Sequence, residues 1–307
     1  MGKETIVADS QILNTVMSCG RKTNLEFKLN LRPHKKAEAL EKGDLMHRML
    51  HPYYYGRIKD PKPHHLVVTD EDGATRPHPY AQFIGMPYVQ LVDTCCEIGR
   101  LASFDMDLEP EYRNECIKQF REYAFHFAGD GWIPLEVEQS YSRTLYEDDK
   151  LLIVYEGIVD LVADGPMGRV IVDHKTASRR ESPSDLSNQF MGYCWALNSP
   201  RLIVNRIGFQ KTLSAGERFQ RVVMSYPQGR IDEWQYWATY WLKVYAFYLE
   251  NDVWPPNFTS CDKYSGCIFQ QICTRIPEAR EFTMQTKYRV VEPWSPHTRD
   301  YSKLMGD

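Results

Sequence analysis

Long hydrophobic runs are missing from this sequence of 307 residues, which begins Met-Gly-Lys-Glu-Thr. No apolar stretch approaches the roughly 18 residues that a membrane-spanning helix needs. The first residues also lack the apolar segment of a secretory signal peptide. The sequence therefore predicts a soluble, intracellular protein with no membrane partner.

An excess of positive charge is missing as well. Lysine and arginine total 37 residues against 41 aspartates and glutamates, so the formal net charge is −4. This balance excludes a protein that coats polyanions through its bulk charge, and any binding of nucleic acid must depend on local basic patches. With 43% hydrophobic and 25% charged residues, the composition is that of a globular protein that can bury a core.

Eight cysteines are present, and their spacing carries more information than their number. In a compartment that keeps thiols reduced, an even count is weak evidence for disulfide bonds. Cys261, Cys267 and Cys273 are separated by five residues each, within a short C-terminal segment. Four others lie in segments that predict helices, where we expect small buried side chains: Cys95, Cys96, Cys116 and Cys194.

The N-terminal part of the chain predicts helices. The first 50 residues are expected to be helical, with apolar side chains at helical spacing over residues 37–50, and two further helices are predicted at about 85–105 and 109–128. Residues 51–80 contain five prolines, and this composition predicts a long irregular insertion between the helices.

The pattern changes at Trp132, after which strands prevail. Three segments rich in Val, Ile and Leu predict consecutive strands: 134–145, 150–163 and 168–174. After a helix expected from Ser182, two strands and a long aromatic helix are predicted: 201–212, 218–226 and 230–250. This order predicts an α/β or α+β core with helices before and after it. We divide the chain into a helical region, this core, and a cysteine segment with its tail: 1–131, 132–252 and 253–307.

Acidic side chains and a lysine fall on two neighbouring predicted strands. Asp173 and Lys175 are two positions apart on one strand, so they project from the same face. If the preceding strand forms a hairpin with it, Asp160 lies beside them. Such carboxylates hold Mg²⁺ or Mn²⁺, which polarises a phosphate and activates water, while an ammonium group stabilises the developing charge. The alternative is an ordinary hairpin whose charged residues are solvated.

Two further features favour a site for phosphodiester cleavage. Gln189 and Tyr193 are four positions apart on the predicted helix that follows, so they share one face and can reach the same site. His47 lies in a helical segment, GDLMH, that begins at Gly43. Its imidazole can complete the coordination of a metal ion.

Together these motifs resemble those of the RecB-like nucleases of the PD-(D/E)XK superfamily. They occur in the order of that family. The histidine motif at His47 is followed by Glu138, then by the segment Gly-Ile-Val-Asp that ends at Asp160, and then by Val-Asp-His-Lys-Thr. The resemblance extends from about residue 15 to residue 275 and leaves 51–130 poorly covered. It implies a mixed central sheet flanked by helices, as in restriction endonucleases.

The resemblance also implies a role for each of these residues. The ligands of a divalent cation would be His47, Asp160, Asp173 and the backbone carbonyl of His174. The catalytic lysine would be Lys175, whereas the side chain of His174 is incidental. Gln189 and Tyr193 would position the substrate or the lysine, and Glu138 would be a supporting acid.

The cysteines resemble those of the iron–sulfur branch of these nucleases, which includes AddB-type and CRISPR-adaptation enzymes. That branch has one cysteine before the histidine motif and three after the nuclease core. The resemblance implies a [4Fe-4S] cluster that joins the chain ends through Cys19, Cys261, Cys267 and Cys273. Many relatives have C-x2-C-x5-C, where this sequence has Tyr264 in place of the first cysteine and Cys261 three residues earlier. Zn²⁺ held by four thiolates and free structural thiols are the alternatives.

DNA is the implied partner, preferentially single-stranded, together with a helicase or recombination protein. A basic segment over residues 21–36 offers local positive charge, as do Lys175, Arg179 and Arg180. Tyr53, Tyr54 and Tyr55 offer rings that either stack on unpaired bases or pack beneath the proline-rich segment. Most rings of the helix at 230–250 are expected in the core.

Two functions follow as hypotheses. The first is a Mg²⁺- or Mn²⁺-dependent DNA exonuclease for single-stranded or frayed ends, serving recombination, repair or phage DNA metabolism in the cytoplasm of a bacterium or a phage-infected host. The second is a non-catalytic iron–sulfur subunit that binds DNA or acts as an adaptor in a larger complex. The complete motifs favour the nuclease, because a degenerate site usually loses its aspartate or lysine.

Overall fold

The computed structural model describes residues 3–35, 37–69, 73–106, 108–177, 183–210, 212–262 and 266–293. Its strands are β1 (Glu4–Ala8), β2 (Leu31–Pro33), β3 (Val67–Thr69), β4 (Thr75–Pro77), β5 (Ile133–Glu147), β6 (Leu151–Gly165), β7 (Gly168–Ala177), β8 (Arg201–Gly208), β9 (Phe219–Ser225) and β10 (Tyr288–Val290). Its α-helices are α1 (Ser10–Ser18), α2 (Gly20–Thr23), α3 (Glu38–Gly56), α4 (Pro63–Leu66), α5 (Tyr88–Ala102), α6 (Pro110–His126), α7 (Asn188–Ala196), α8 (Ala215–Arg218), α9 (Gln228–Asn251), α10 (Gln270–Cys273) and α11 (Pro277–Lys287).

A mixed sheet of six strands forms the centre of the protein, in the order β1-β6-β7-β8-β9 with β5 also paired to β6. β5 pairs antiparallel with β6 along nearly its whole length, so β1 and β7 share the other edge of β6. The β1–β6 and β7–β8 pairs are parallel, whereas β6–β7 and β8–β9 are antiparallel. β2 pairs with β10, and β3 with β4, outside this sheet.

Apolar clusters cover both faces of the sheet. On one face, Val172 and Ile203 pack with residues of α3, α5 and α6; on the other, Ile171 and Leu202 pack with residues of α1, α7 and α9. Neighbouring residues of a strand project to opposite faces, so burial on both sides requires the continuous apolar runs of β7 and β8. A third, small cluster joins the two ends of the described chain: Leu25, Leu31, Phe269, Ile272 and Tyr288.

The mixed α/β fold with helices on both sides of a central sheet is the one that the sequence predicts. The strand predicted at 168–174 is β7, and the aromatic helix predicted at 230–250 is α9. The division of the chain at residues 131 and 252 remains a prediction. β1, although it belongs to the first of those regions, is a strand of the central sheet.

Two predicted elements differ from the structure. The prediction that the first 50 residues are helical is wrong for β1 and β2. Ile6 and Ala8 of β1 are buried when this β-branched segment pairs with β6, and β2 pairs with β10. The helix expected from Ser182 begins at Asn188, because the hydroxyl of Ser187 accepts a hydrogen bond from the Phe190 N–H at 3.3 Å and caps it. Ser182 itself lies outside the described residues.

The predicted irregular insertion at 51–80 is also partly wrong. Helix α3 continues through Pro52 to Gly56 and carries three tyrosines into the core. The exposed fractions of Tyr53, Tyr54 and Tyr55 are 0%, 2% and 3%, so these rings are closed to unpaired bases. Their burial is stabilised because large rings remove much apolar surface from water while their hydroxyls find partners, such as the Tyr88 hydroxyl at 3.0 Å from that of Tyr53.

Candidate active site

The β6–β7 hairpin brings the two predicted aspartates to neighbouring strands. Leu161 of β6 is paired with Val172 of β7, so Asp160 and Asp173 occupy the next position of the ladder. Asp160 accepts a hydrogen bond from the backbone N–H of His174 at 2.6 Å, which ties its carboxylate to β7. This strand register brings two residues that are 13 positions apart in the sequence into one site.

Helix α3 and strand β5 complete a group of possible metal ligands. One ligand atom from each of His47, Glu138 and Asp160 lies within 4.8 Å of the others. Nδ1 of His47 is 3.8 Å from Oδ1 of Asp160. Glu138 has a φ of 53°, a left-handed conformation that interrupts β5 at the point where its side chain joins the group.

Asp173 and Lys175 form the second half of the site. Asp173 is 1% exposed, and the ammonium group of Lys175 donates to its Oδ1 at 3.2 Å. The same nitrogen is 2.9 Å from Oδ2, but among the described residues none donates a hydrogen bond to Oδ2 in good geometry. A buried carboxylate oxygen with unused acceptor capacity is a ligand that suits a cation.

The charges in the site shift its titrations. Burial raises the pKa of Asp160, and although His47 lowers it, Asp173 and Glu138 raise it further. Burial lowers the pKa of His47, but Asp160, Glu138 and Asp173 outweigh this and raise it. Burial likewise lowers the pKa of Lys175, and the two aspartates raise it above its usual value. The positive charge of His47 and Lys175 does not balance the three carboxylates of the site, so a bound cation would stabilise them. Their hard oxygen donors, with one imidazole, fit Mg²⁺ or Mn²⁺.

Helix α7 places the two remaining predicted residues over Asp173. Nε2 of Gln189 donates to the hydroxyl of Tyr193 at 2.8 Å. Burial raises the pKa of Tyr193, and Asp173 and Asp160 raise it further, so this hydroxyl keeps its proton beside the carboxylates. The ammonium group of Lys175 is 5.8 Å from the centre of the Phe190 ring on the same helix.

The imidazole of His174 lies on the opposite face of β7 from Asp173. It stacks on the ring of Tyr54 at 5.1 Å and accepts a hydrogen bond at Nδ1 from Nδ2 of Asn205 at 2.8 Å, if its proton is on Nε2. Burial lowers its pKa well below the usual range, so the ring is neutral. Its backbone carbonyl remains a predicted metal ligand.

Sequence reasoning missed the buried polar network around that ring. Nδ2 of Asn205 is also 2.6 Å from the Tyr123 hydroxyl, which forms a hydrogen bond with the hydroxyl of Tyr54. This network joins α3, α6 and β8 behind the strand that carries Asp173, so it holds β7 from the side away from the carboxylates. The only signal in the sequence is one asparagine inside the apolar run of β8.

The four cysteines of the predicted cluster converge at a second place. Cys19, Cys261, Cys267 and Cys273 line one cavity of about 160 Å³. The backbone N–H of Asn257 donates to Sγ of Cys19 at 3.3 Å, and that of Cys267 to the carbonyl of Cys261 at 2.7 Å. Burial raises the pKa of Cys261, and the other three thiols raise it further. The four cysteines predicted to be buried are so: Cys95, Cys96, Cys116 and Cys194.

A third group of side chains looks like a metal site but does not fit one. Nε2 atoms of His64 and His65 are 2.8 and 2.9 Å from Oε2 of Glu136, and the Lys62 ammonium is 2.7 Å from Oε1. Because the Lys62 backbone N–H donates to Nδ1 of His65, a neutral His65 carries its proton on Nε2, where a metal would bind. Burial raises the pKa of Glu136, but these three hydrogen-bond donors lower it to about 2.

The predicted surfaces for nucleic acid are changed by the structure. In the basic N-terminal segment, Lys28 pairs with Asp252 at 2.6 Å and Lys22 with Glu26 at 3.7 Å, so part of its charge is neutralised. Lys36, Arg179, Arg180 and Tyr264 lie outside the described residues. The prediction that most rings of α9 lie in the core is wrong, because four of its eight rings are at the surface, with exposed fractions of 66%, 49%, 50% and 53%: Tyr236, Trp237, Tyr240 and Phe247.

Comparison with known proteins gives a family match over most of the chain. The family model described as the PD-(D/E)XK nuclease superfamily matches residues 10–274. Among solved structures, the crystal structure of SSO0001 is similar at 16% sequence identity and a TM-score of 0.32, over 61% of this chain and 79% of that chain. No curated protein matches the chain. Within the described residues, no helix is both long and apolar enough to cross a membrane.

Proposed function

The chain belongs to the PD-(D/E)XK nuclease superfamily, and from this premise we propose that it is a metal-dependent DNA exonuclease acting on single-stranded or frayed ends. The observation that carries the proposal is the buried Asp173 carboxylate, which has an unused acceptor oxygen beside Asp160 and Lys175. The preference for DNA ends and single strands rests on the resemblance to RecB-like nucleases. The same resemblance suggests work in recombination, repair or phage DNA metabolism, beside a helicase or recombination protein.

The residues of the site have distinct tasks in phosphodiester hydrolysis. A divalent cation held by His47, Asp160, Asp173 and the backbone carbonyl of His174, with Glu138 beside them, would supply the charge that polarises the phosphate and activates water. Lys175, which Asp173 holds in its charged form, stabilises the negative charge that develops on the phosphate. Gln189 and Tyr193 orient that lysine and the substrate from α7.

We also propose a [4Fe-4S] cluster at Cys19, Cys261, Cys267 and Cys273. The four thiols are the donors that such a cluster requires, and their common cavity of about 160 Å³ has room for more than a single Zn²⁺ ion. Protein purified without oxygen should be brown and absorb near ~400 nm. A colourless protein with one equivalent of zinc would contradict the cluster and favour the zinc alternative.

The nuclease is tested with labelled single-stranded DNA and Mn²⁺ or Mg²⁺. Asp173→Ala and Lys175→Ala should each lose at least about a hundredfold in kcat, because each removes charge that acts on the scissile phosphate. Asp164→Ala is the matched control, since Asp164 is exposed on the same hairpin and should leave kcat unchanged. Labels at the 5′ and 3′ ends distinguish exonuclease from endonuclease products.

Two outcomes would contradict this assignment. Full activity in both variants would exclude Asp173 and Lys175 from the active site. Binding of DNA by the wild-type protein without cleavage in either metal would support the alternative, an iron–sulfur adaptor subunit of a larger DNA-processing complex.

A further inference from the structure

Arg206 lies on β8 directly beside Lys175. The two residues are paired in the parallel β7–β8 ladder, so their side chains project from the same face of the sheet. The neighbouring Asn205 projects to the other face, where it contacts His174 and Tyr123. On its own face, Arg206 donates from Nη1 to Oε1 of Gln220 at 3.2 Å, the residue opposite it on β9.

Along the sheet face that carries Arg206, the side chains change from acidic on β5, β6 and β7 to basic at the β7–β8 pair. Glu138, Asp160 and Asp173 come from the successive strands β5, β6 and β7. Lys175 and Arg206 follow, the second about 4.8 Å farther along the sheet, since that is the spacing of neighbouring strands. A row of carboxylates thus ends in two adjacent cations, beyond the proposed metal ligands.

We propose that Lys175 and Arg206 form a phosphate subsite for the nucleic-acid backbone, with Arg206 holding a phosphate next to the scissile one. The proposal rests on the nuclease function above. A strand whose scissile phosphate lies at Asp160 and Asp173 needs positive charge for the next phosphate, and on this face β8 supplies it. The planar guanidinium presents parallel donors that match two phosphate oxygens, while Gln220 holds its orientation.

Arg206→Gln tests the subsite by separating binding from chemistry. With a single-stranded DNA oligonucleotide as the probe, KM should rise about tenfold, while kcat changes by less than about twofold, because ground state and transition state both carry this phosphate. The slope of log affinity against log salt should fall by about 0.7, the value for one phosphate of a single strand. Arg206→Lys, which keeps the charge but loses the planar fork, should recover part of the affinity and all of the salt slope.

Arg169→Gln is the matched control. Arg169 is exposed at the start of β7, six positions before Lys175 on the same strand, and should leave KM and the salt slope unchanged. If wild-type protein cleaves DNA but Arg206→Gln and Arg206→Lys behave like this control, the subsite is wrong while the nuclease stands. A loss confined to kcat would also overturn it, since Arg206 would then act through Lys175. Absence of cleavage by wild-type protein would count against the nuclease itself, and unchanged DNA affinity in Arg206→Gln would then reject the subsite independently.

Discussion

The carboxylates of the candidate active site lie on long paired strands, whereas the four converging thiols lie on short segments near the two ends of the described chain. Asp160 and Asp173 are held by ladders that apolar clusters cover on both faces. The cysteines are only partly buried and adjoin a small apolar cluster of five residues. One site is therefore part of the main core, and the other depends on contacts between distant segments.

Because the two sites are held so differently, we expect a bound metal to matter more for the folding of the thiol site than for that of the carboxylate site. The sheet can place Asp160 and Asp173 without a cation, because its own core holds the strands. Within the described residues, the two segments at the thiol site are joined by hydrogen bonds, such as that from the Arg21 N–H to the Pro255 carbonyl at 3.1 Å and that from the Asn257 N–H to Sγ of Cys19, and by the short β2–β10 pair. The apolar cluster of five residues beside the thiols contributes little stability, so binding of the proposed [4Fe-4S] cluster would add its free energy directly to the stability of this region.

The largest effect on the comparison is expected from Cys19→Ala. Loss of the one ligand that comes from the N-terminal segment should remove the absorption near ~400 nm and lower Tm by about 10 °C, which corresponds to a few kcal/mol in a protein of this size. Optical spectroscopy, iron analysis and thermal unfolding measure these effects. Cys194→Ala is the control, because Cys194 is fully buried in α7 and should keep a full complement of iron. Normal iron in Cys19→Ala would remove this residue from the cluster.

Substitution of one glycine in each region should have a smaller effect than loss of Cys19 and should affect the two sites separately. A Cβ on Gly192 would collide with the hydroxyl of Tyr155, and one on Gly20 would be 2.8 Å from Cδ of Pro255. Such overpacking costs about 1–3 kcal/mol. Gly192→Ala should displace α7 and lower kcat with normal iron, whereas Gly20→Ala should lower the iron content.

The ratio of iron to protein and kcat are measured for both variants. If each glycine variant reduced iron and kcat to the same extent, the two regions would form one cooperative unit rather than two differently stabilised ones.

The smallest expected effect is the pH dependence of the main core. Burial and the nearby His65 and His64 lower the pKa of His78 to about 4 from 6.5. Between these values the unfolded chain binds more protons than the folded one, so the free energy of unfolding falls as pH falls from 6.5 to 4. His78→Phe should flatten the curve in this window, as measured by denaturant unfolding at several pH values. An unchanged slope would show that His78 does not titrate in this way.

Local periodicity was enough to predict part of the site. The two-residue period of a strand puts Asp173 beside Lys175, and the helical period puts Gln189 beside Tyr193; in the structure the partners of each pair contact one another. The long apolar strands and the aromatic helix α9 were also predicted, because they are strongly patterned. The motif order led to the superfamily that the family match shows.

Other features depended on contacts that no local pattern contains. Tyr54 was equally compatible with stacking on a base and with burial, and the packing of α3 against the sheet decided for burial. The left-handed backbone of Glu138, the network at Asn205 and the position of Arg206 depend on strand register. Register follows from the fit of whole strands, so a short segment does not specify it.

By itself, the sequence determined which side chains share a face within each strand or helix, because backbone geometry fixes those periods. It also supplied the order of motifs and the number of available thiols. Only the tertiary structure brought His47 of α3 to Asp160, and Cys19 to a cavity shared with three cysteines more than 230 positions later. These contacts depend on how separate helices and strands pack and pair. The burial of the whole core decides that packing, and no single segment does so.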